Sequence, residues 1–82
     1  MWHVYMLRCK DDSLYTGVTT DIERRVKEHK KGRGGIFTRS HLPVELVYTE
    51  NCGNRSSALK REIEIKAMTK TEKEALLRGA GH

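Results

Sequence analysis

The sequence predicts an α+β domain in which helices pack a three-stranded antiparallel sheet, in the order β-β-α-β-α-α. Two short β-favouring runs with a turn signal between them open the chain, and a third alternating run follows its single proline. Helix signals separate and follow these runs. Because 82 residues offer too little apolar material for a second core, we expect one domain spanning residues 1–82.

Three segments have the composition of strands. Residues 2–9 and 13–17 are apolar and β-favouring, and a Lys-Asp-Asp turn signal at residues 10–12 lies between them. Residues 44–49 alternate in polarity and follow Pro43, which is tolerated at the first residue of a strand. These segments predict a hairpin and a third strand.

Three segments carry the signals of helices. Residues 20–31 begin with a capping box, in which Thr20 and Glu23 exchange hydrogen bonds with each other's backbone, and a glycine follows them. Residues 54–68 begin with N-cap candidates, and residues 71–79 begin with another capping box and end at a glycine. The chain shows no repeat and no linker.

The charge balance indicates a polyanionic partner. Sixteen Lys and Arg against eleven Asp and Glu give a net charge of +5, which attracts nucleic acid by Coulomb forces and counterion release. A merely basic soluble protein is the alternative that composition leaves open. The positions of the charges must therefore decide between the two.

Residues 30–42 predict a basic, glycine-rich loop. Its cations can neutralise phosphates, its glycines allow close approach of the backbone, and an aromatic side chain can stack on a base. The candidate nucleic-acid-binding residues are Lys30, Lys31, Arg33, Phe37 and Arg39. The alternative is a solvated loop anchored by a buried Phe37.

The cysteines and histidines indicate neither a disulfide framework nor a zinc module. Cys9 and Cys52 lie in apolar contexts without metal-ligand spacing, and we expect reduced core thiols in a cytoplasmic protein. The four histidines are scattered and form no zinc pattern. Nothing resembles a signal peptide or a membrane span.

The first predicted helix places two functional side-chain types beside its core-facing stripe. At 100° per residue, Arg25 and His29 fall within an arc of roughly 100° that also contains Ile22 and Val26. A snorkelling arginine and a histidine at the edge of the core are the structural alternative.

The second predicted helix has a carboxylate where a hydrophobic residue is expected. Glu62 falls in the middle of an apolar arc formed by Ala58, Leu59, Ile63 and Ile65. A helix pair with the lysine one turn later, worth about 0.2–0.5 kcal/mol, is the structural alternative. Because an uncompensated buried charge costs several kcal/mol, a cation or metal partner is the sharper hypothesis.

Taken in order, these residues resemble the GIY-YIG nuclease family over nearly the whole chain. The two tripeptides of the family stand here as His-Val-Tyr at residues 3–5 and Tyr-Thr-Gly at residues 15–17, and only the tyrosines and the last glycine match literally. Arg25 and then His29 follow on the first helix, and Glu62 lies on the second. The chain looks most similar to the short, single-domain bacterial members.

The resemblance implies a role for each matching residue. Tyr5 and Tyr15 would line the site, Arg25 would contact the reacting phosphate, and Glu62 would bind a divalent metal, Mg²⁺ or Mn²⁺. His29 matches a further family position near the site. No organic cofactor is implied.

These residue types suit phosphodiester hydrolysis independently of the family. Attack of water on phosphorus builds negative charge on the nonbridging oxygens, which an arginine and a divalent metal stabilise. A tyrosine, with a pKa near 10, needs a nearby cation to serve as a base at neutral pH. We favour Tyr5 as the base and Tyr15 as its orienting partner, an assignment that the sequence leaves open.

Three functions are compatible with the sequence. The first is a metal-dependent endonuclease, and the second is a nucleic-acid-binding module that kept the fold and lost the chemistry. A protein-interaction adaptor is the third. Val18 stands where some family members have a lysine, and no asparagine follows Glu62, which keeps the second function open. We expect a monomer that acts on nucleic acid, DNA before RNA, with specificity from nucleic-acid shape or from a targeting partner protein.

A shared site requires both tyrosines to lie on one face of the sheet. A two-residue hairpin turn would put Tyr5 and Tyr15 on opposite faces, because side chains alternate along a strand. A three-residue connection or one bulged residue would put Tyr15 opposite residue 7 or 9, on the face of Tyr5. We therefore predict such a connection within residues 9–14, with both phenols converging on Arg25 and Glu62.

Overall fold

The computed structural model describes residues 1–80, which form three strands and four helices. In chain order these are β1 (Trp2–Arg8), β2 (Leu14–Thr19), α1 (Ile22–Lys30), α2 (Ile36–Ser40), β3 (Glu45–Gly53), α3 (Arg55–Lys66) and α4 (Lys70–Ala80). The strands form one antiparallel sheet in the order β2-β1-β3. The predicted α+β class and sheet are confirmed, and one additional short helix, α2, changes the order to β-β-α-α-β-α-α.

The central strand separates two clusters of core side chains. Val4 and Met6 of β1 pack with Ala58 and Ile65 of α3, while α4 contributes partly buried leucines to the same cluster. Tyr5 and Leu7, which point to the other face, pack with the Val26 side chain of α1. The sheet is thus covered on both faces, with α1 on one side and α3 and α4 on the other.

The β1–β2 hairpin has the predicted three-residue connection. The backbone N–H of Cys9 donates to the carbonyl of Ser13 at 2.9 Å, so residues 10–12 form the turn. Asp12 closes it in the left-handed region, with φ of 71°. This register pairs Leu7 with Tyr15 and Tyr5 with Gly17. Both tyrosines therefore lie on one face of the sheet, as predicted.

Strand β3 is longer than expected, and its register against β1 shifts at two points, the first of which changes its face. Val44, just before the strand, and Leu46 pack on the α1 side, whereas Tyr48 packs on the α3 side. The change follows from a register shift between Met6 and Leu7, which pair with Tyr48 and Leu46, respectively. A bulge of this kind inserts one residue and reverses the alternation beyond it. The simple alternation seen in the sequence does not persist along the strand.

Two helices begin at residues other than those that the capping boxes predicted. The N-cap of α1 is Asp21, whose carboxylate accepts from the N–H of Arg24, and not Thr20. At α4 the capping box joins Thr69 to Glu72, with reciprocal distances of 2.8 and 3.1 Å, two residues before the predicted pair. Aspartate is at least as good an N-cap as threonine, and in α1 the residue with the N-cap conformation is Asp21, one position after Thr20. The predicted Asn54 region does cap α3, through the Asn54 side chain and the N–H of Ser57.

The segment predicted as a basic loop contains helix α2. Its five residues are exposed except for Thr38, which is fully buried. A helix this short has no stable periodic signature of its own. The buried anchor of the segment is Thr38, whereas Phe37, the anchor in the alternative of a solvated loop, is 42% exposed.

The core-facing stripe of α3 is narrower than predicted. Ala58 and Ile65 are fully buried, whereas Ile63 is 65% exposed and lies outside the core. The Glu62 side chain lies on the inner side of the helix and is 18% exposed. Both cysteines, Cys9 and Cys52, are free thiols. No helix within residues 1–80 is long and apolar enough to span a membrane.

Candidate active site

Tyr5 is held at the centre of the α1 face of the sheet. Its side chain is 1% exposed, and its hydroxyl lies 2.7 Å from Nε2 of His29. The ring packs on Gly17 of β2, where a Cβ atom would come within 2.6 Å of the phenol oxygen. Burial raises the pKa of Tyr5 to about 12, although the guanidinium of Arg25 acts in the opposite direction. Tyr5 is therefore a neutral phenol at pH 7.

His29 links the sheet to the segment that follows α1. The ring is fully buried, with Nε2 on Tyr5 and Nδ1 2.8 Å from the hydroxyl of Thr38. Burial, and then the positive charge of Arg25, lower the pKa of His29 below its ordinary value of 6.5. The imidazole is therefore neutral at pH 7, with one nitrogen protonated and the other able to accept a hydrogen bond.

Arg25 lies beside the Tyr5 hydroxyl with a partly exposed guanidinium. One of its nitrogens donates to the carbonyl of Gly34 at 2.8 Å, and the other lies 3.3 Å from the carboxylate of Glu28. These contacts orient the guanidinium of Arg25. They do not cancel its charge in a buried ion pair, since Glu28 is itself 38% exposed. The remaining donors can bind a phosphate oxygen.

Tyr15 is the outer of the two tyrosines. Its side chain is partly exposed, its ring centroid lies 6.3 Å from that of Tyr5, and its edge packs on His29 at 5.2 Å. The two phenols interact, since the Tyr15 hydroxyl is among the groups that raise the pKa of Tyr5. Tyr5, Tyr15, Arg25 and His29 therefore form one cluster, as the sequence predicted for them.

A stack of exposed aromatic rings continues from this cluster toward solvent. Phe37 lies nearly parallel to Tyr15, with centroids 6.0 Å apart, and His41 stacks on Phe37 at 4.1 Å. A planar, partly exposed ring next to basic residues is a surface on which a nucleobase can stack. The sequence predicted this use for Phe37 but gave no reason to include His41.

The four predicted phosphate-binding cations are all exposed. They are Lys30, Lys31, Arg33 and Arg39. Among the ion pairs formed within residues 1–80, none involves any of the four. Their charges are thus available to a polyanion on the same side of the molecule as the tyrosine cluster.

Glu62 is separated from this cluster in the network of contacts. Its carboxylate lies 3.6 Å from Nζ of Lys66, one turn later on α3, which packs on the opposite face of the sheet. No hydrogen bond within the described part of the chain joins Glu62 to Tyr5, Tyr15 or Arg25. The two phenols thus lie near Arg25, as predicted. No hydrogen bond or ion pair within residues 1–80 brings Glu62 to them.

Glu62 nevertheless suits a divalent cation that keeps most of its water ligands. Its distance to Lys66 exceeds that of a hydrogen bond, so the carboxylate oxygens keep free lone pairs at a side chain that is 18% exposed. Mg²⁺ needs only one or two protein carboxylates when water and phosphate complete its shell. In residues 1–80 no group of three or more His, Cys, Asp or Glu side chains is arranged to hold a metal.

Sequence reasoning did not identify two residues that shape the cluster. The hydroxyl of Thr38 is hydrogen-bonded to the buried Nδ1 of His29. Gly34 lies so close to that ring that a Cβ atom would fall 2.0 Å from Nδ1. The available signal was weak: two adjacent glycines and a threonine in a segment predicted as a solvated loop. Their importance arises from contacts over nine residues with α1.

Comparison with known proteins agrees with this arrangement. Residues 1–75 match the GIY-YIG catalytic domain family. The chain is 51% identical over 75 residues to a UPF0213 protein of Natronomonas pharaonis, covering 92% of this chain and 88% of that protein. A UPF0213 protein of Haloquadratum walsbyi is 53% identical over 74 residues, covering 90% of this chain and 83% of that protein.

Two solved structures share the fold. The solution NMR structure of a UPF0213 protein from Bacillus halodurans superposes with a TM-score of 0.62 at 42% identity, covering 95% of this chain and 84% of that one. A protein from E. faecalis, also solved by NMR, gives a TM-score of 0.59 at 40% identity, covering 90% and 80% of the two chains. Members of the GIY-YIG nuclease superfamily act on nucleic acid and are generally dependent on divalent metals. With Tyr5 and Tyr15 on one face of the β1–β2 hairpin and Arg25 on the helix that packs against that face, this chain belongs to the GIY-YIG family.

Proposed function

We propose that this protein is a divalent-metal-dependent endonuclease that hydrolyses phosphodiester bonds in nucleic acid, with DNA favoured over RNA. The observation that carries the proposal is the cluster of Tyr5, Tyr15, Arg25 and His29, in which a partly exposed arginine neighbours a phenol that is hydrogen-bonded to a buried histidine. In hydrolysis a water oxygen bonds to phosphorus while the bond to the leaving oxygen breaks. The cluster offers a cation for the phosphate and a route for the proton of the water.

Arg25 is the residue proposed to bind the reacting phosphate. Its fork is oriented by the carbonyl of Gly34, and donors remain for the nonbridging oxygens, where negative charge grows in the transition state. Because the guanidinium borders the buried cluster, its attraction for that charge is less screened than at an open surface. Arg25 then contributes more to the transition state than to substrate binding.

The two tyrosines differ in burial, and this difference bears on which one meets the attacking water. Tyr5, which the sequence analysis favoured as the base, is 1% exposed and has its hydroxyl on His29. Tyr15 is partly exposed and interacts with the Tyr5 hydroxyl. We therefore assign the contact with water to Tyr15 and the onward passage of the proton to Tyr5.

The proton of the attacking water would pass to Tyr15, Tyr5 and His29 in turn, of which Tyr5 and His29 are joined by a hydrogen bond. Tyr15 takes it as its own hydroxyl proton moves to Tyr5, and Tyr5 in turn gives its proton to His29. Tyr5 has a pKa of about 12 and that of His29 is lowered, so this transfer is unfavourable at rest and requires the developing charge of the reaction. The leaving oxygen takes a proton from solvent, and His29 afterwards returns its extra proton to solvent by the reverse route, which balances the step.

Glu62 is the residue proposed to hold the metal. When bound there together with substrate phosphate, a divalent cation would act as a Lewis acid that stabilises the charge on phosphate. Lys66 must then give up its pair with Glu62, a change that costs little because exposed helix pairs of this kind are worth about 0.2–0.5 kcal/mol.

The exposed cations and the aromatic stack are proposed to hold the substrate. Lys30, Lys31, Arg33 and Arg39 would contact phosphates, which positions the strand without reading its sequence. The aromatic stack that contains Phe37, between Tyr15 and His41, would stack on a base next to the cleaved bond.

The Glu62→Gln variant tests the nuclease proposal. Cleavage of a labelled panel of DNA and RNA substrates is measured with Mg²⁺ or Mn²⁺, together with binding affinity and the free energy of unfolding. We expect Glu62→Gln to bind and fold as the unmodified protein does while cleavage is lost, because the amide keeps the shape without the charge. Glu64→Gln, on the exposed side of the same helix, is the matched control and should cleave normally. Equal cleavage by both variants would remove Glu62 from the mechanism.

A nucleic-acid-binding module without cleavage is the second candidate. The pairing of Glu62 with Lys66, rather than with the tyrosine cluster, favours it. Under this proposal the protein binds the same substrates but cleaves none of them at any divalent-metal concentration. The substrate panel thus separates the two functions directly.

A further inference from the structure

Thr38 is a buried hydroxyl on an otherwise exposed helix. The side chains on either side of it, Phe37 and Arg39, are exposed, whereas Thr38 is 0% exposed. A buried hydroxyl must be hydrogen-bonded, since an unsatisfied one costs about 1–3 kcal/mol. Its two neighbours are Nδ1 of His29 at 2.8 Å and the carbonyl oxygen of Gly35 at 3.5 Å.

The two neighbours differ in what they can do. The Gly35 carbonyl can only accept a hydrogen bond, so the Thr38 hydroxyl can donate to it. A lone pair of the hydroxyl oxygen then faces His29. The Nδ1 atom of His29 would then carry a proton and donate to Thr38. The other ring nitrogen, Nε2, would be unprotonated and would accept from the Tyr5 hydroxyl at 2.7 Å.

Tyr5 favours the same arrangement from the other side of the ring. The only hydrogen bond of its buried hydroxyl within residues 1–80 is the one to Nε2 of His29. Arg25 also acts on the phenol, but a guanidinium can only donate. A proton on Nε2 would therefore leave the phenol O–H without an acceptor, whereas a proton on Nδ1 lets Tyr5 donate to His29.

We propose that Thr38 is a positioning residue that fixes His29 as its Nδ1–H tautomer and thereby presents Nε2 to Tyr5 as a proton acceptor. This inference rests on the proposed nuclease function for its catalytic consequence, but the tautomer itself does not. Gly34 supports the arrangement, because only a residue without a Cβ leaves room for the ring at this position. Helix α2 thus carries the side chain, Thr38, that sets the tautomer of His29, the last residue of the proposed proton route.

The tautomer can be measured without any activity. The ¹⁵N chemical shifts of the His29 imidazole, recorded at pH 7.5 on the full chain, distinguish Nδ1–H from Nε2–H. We expect the Nδ1–H form in the unmodified protein and in Thr38→Ser, which keeps the hydroxyl. Thr38→Val, which keeps the shape and removes the oxygen, should shift the ring toward the Nε2–H form. Ser40→Ala, which removes an exposed hydroxyl from the same helix, should leave the ring unchanged.

Cleavage provides the second readout. Thr38→Val should lower kcat by about 10- to 100-fold, the size found when a partner that orients a functional histidine is removed, with KM nearly unchanged. Thr38→Ser and Ser40→Ala should retain cleavage within about threefold. Rescue by serine is the outcome that a purely structural role of the threonine methyl group would not give.

The outcomes separate this inference from the proposed function. An Nε2–H ring in the unmodified protein overturns the inference, and so does a Thr38→Val protein whose ring stays Nδ1–H. If Thr38→Val does not fold, the tautomers of the unmodified protein and of Thr38→Ser still decide. A protein that shows the expected tautomers but cleaves no substrate supports the positioning of His29 and contradicts the nuclease function.

Discussion

At the scale of single residues, two glycines determine how closely the site can pack. Gly17 lies under the phenol of Tyr5, and Gly34 lies against the imidazole of His29. Neither position needs glycine for its backbone angles, since neither has a positive φ. The requirement is space, because each missing Cβ is occupied by an aromatic ring of the site.

The first prediction concerns Gly34→Ala. Its Cβ would fall 2.0 Å from Nδ1 of His29, and the fully buried ring must move. We expect a loss of about 1–3 kcal/mol in the free energy of unfolding, the usual cost of overpacking, measured by urea denaturation. Gly79→Ala is the control, since no atom of residues 1–80 outside its own helix backbone and chain neighbours lies within 4 Å of the added Cβ, and it should be neutral or slightly stabilising. Equal stability of the two variants would show that the ring is not confined by Gly34.

The second prediction concerns pH and His29. Burial lowers its pKa in the folded protein, so the unfolded chain binds the proton more readily. The stability that the neutral ring contributes is complete above the unfolded pKa of about 6.5 and decreases as pH falls from that value toward the folded pKa. The free energy of unfolding should therefore decline below pH 6.5.

The His29→Gln variant is the comparison for this pH dependence. It should be less stable at pH 7.5 but should show a flatter profile between pH 6.5 and 5. The carboxylates with lowered pKa values, Asp11, Asp12 and Glu74, have ordinary values of 3.8 to 4.5 and lose their contribution only at lower pH. Parallel profiles for the two proteins between pH 6.5 and 5 would contradict the assignment.

At the scale of the elements, the start of α1 fixes the orientation of Arg25 and His29. The carboxylate of Asp21 accepts from the N–H of Arg24 at 3.1 Å, while Thr20 is exposed and lies outside the helix. The helix that begins at this residue brings positions 25 and 29 onto the inner stripe.

The third prediction distinguishes the two cap candidates of α1. Asp21→Ala should cost about 0.5–2 kcal/mol in the free energy of unfolding, because it leaves a backbone N–H of the first turn without its acceptor. Thr20→Ala should change the stability by less than about 0.5 kcal/mol, as expected for an exposed position without such a role. The reverse order of the two losses would indicate that the capping box predicted from the sequence forms in solution.

The hairpin and the three longer helices were predictable because each is indicated by residues that lie close together in the sequence. The turn at residues 10–12, the cap of α3 at Asn54 and the stripe containing Val26 each depend on residues a few positions apart. The bulge in β3 and helix α2 were not predictable in this way. The bulge depends on the pairing of β1 with β3, and α2 depends on the burial of Thr38 against His29. Their causes are contacts between distant segments.

At the scale of the whole molecule, the candidate site was predictable in its members but not in its connections. Arg25 and His29 could be placed beside the core from their spacing, yet the bond from His29 to Tyr5 spans 24 residues. Glu62 could likewise be placed on the inner side of its helix. Its relation to the tyrosines depends on how α3 packs against the sheet, which no local pattern encodes.

The fold places positive charge on both faces of the sheet. The end of α1 and the segment after it carry Lys30, Lys31 and Arg33, all exposed and without ion pairs among the pairs formed in residues 1–80. Lys60, Lys73 and Arg78, in contrast, lie on α3 and α4, which pack on the other face of the sheet. The two sets carry the same charge, so they allow a comparison at constant net charge.

The fourth prediction uses this comparison to locate the docking surface. Replacing Lys30, Lys31 and Arg33 together by glutamine should weaken binding to all sequences alike, because phosphate contacts carry little base information. The slope of log affinity against log salt should flatten by about 0.9 for each lost contact with duplex DNA. The matched triple replacement of Lys60, Lys73 and Arg78 lowers the net charge equally but should leave most of the slope intact. If both triple variants flatten the slope to the same extent, net charge and not a defined surface governs binding. A greater effect of the α3 and α4 set would place the nucleic acid against these two helices and would contradict the proposed docking surface.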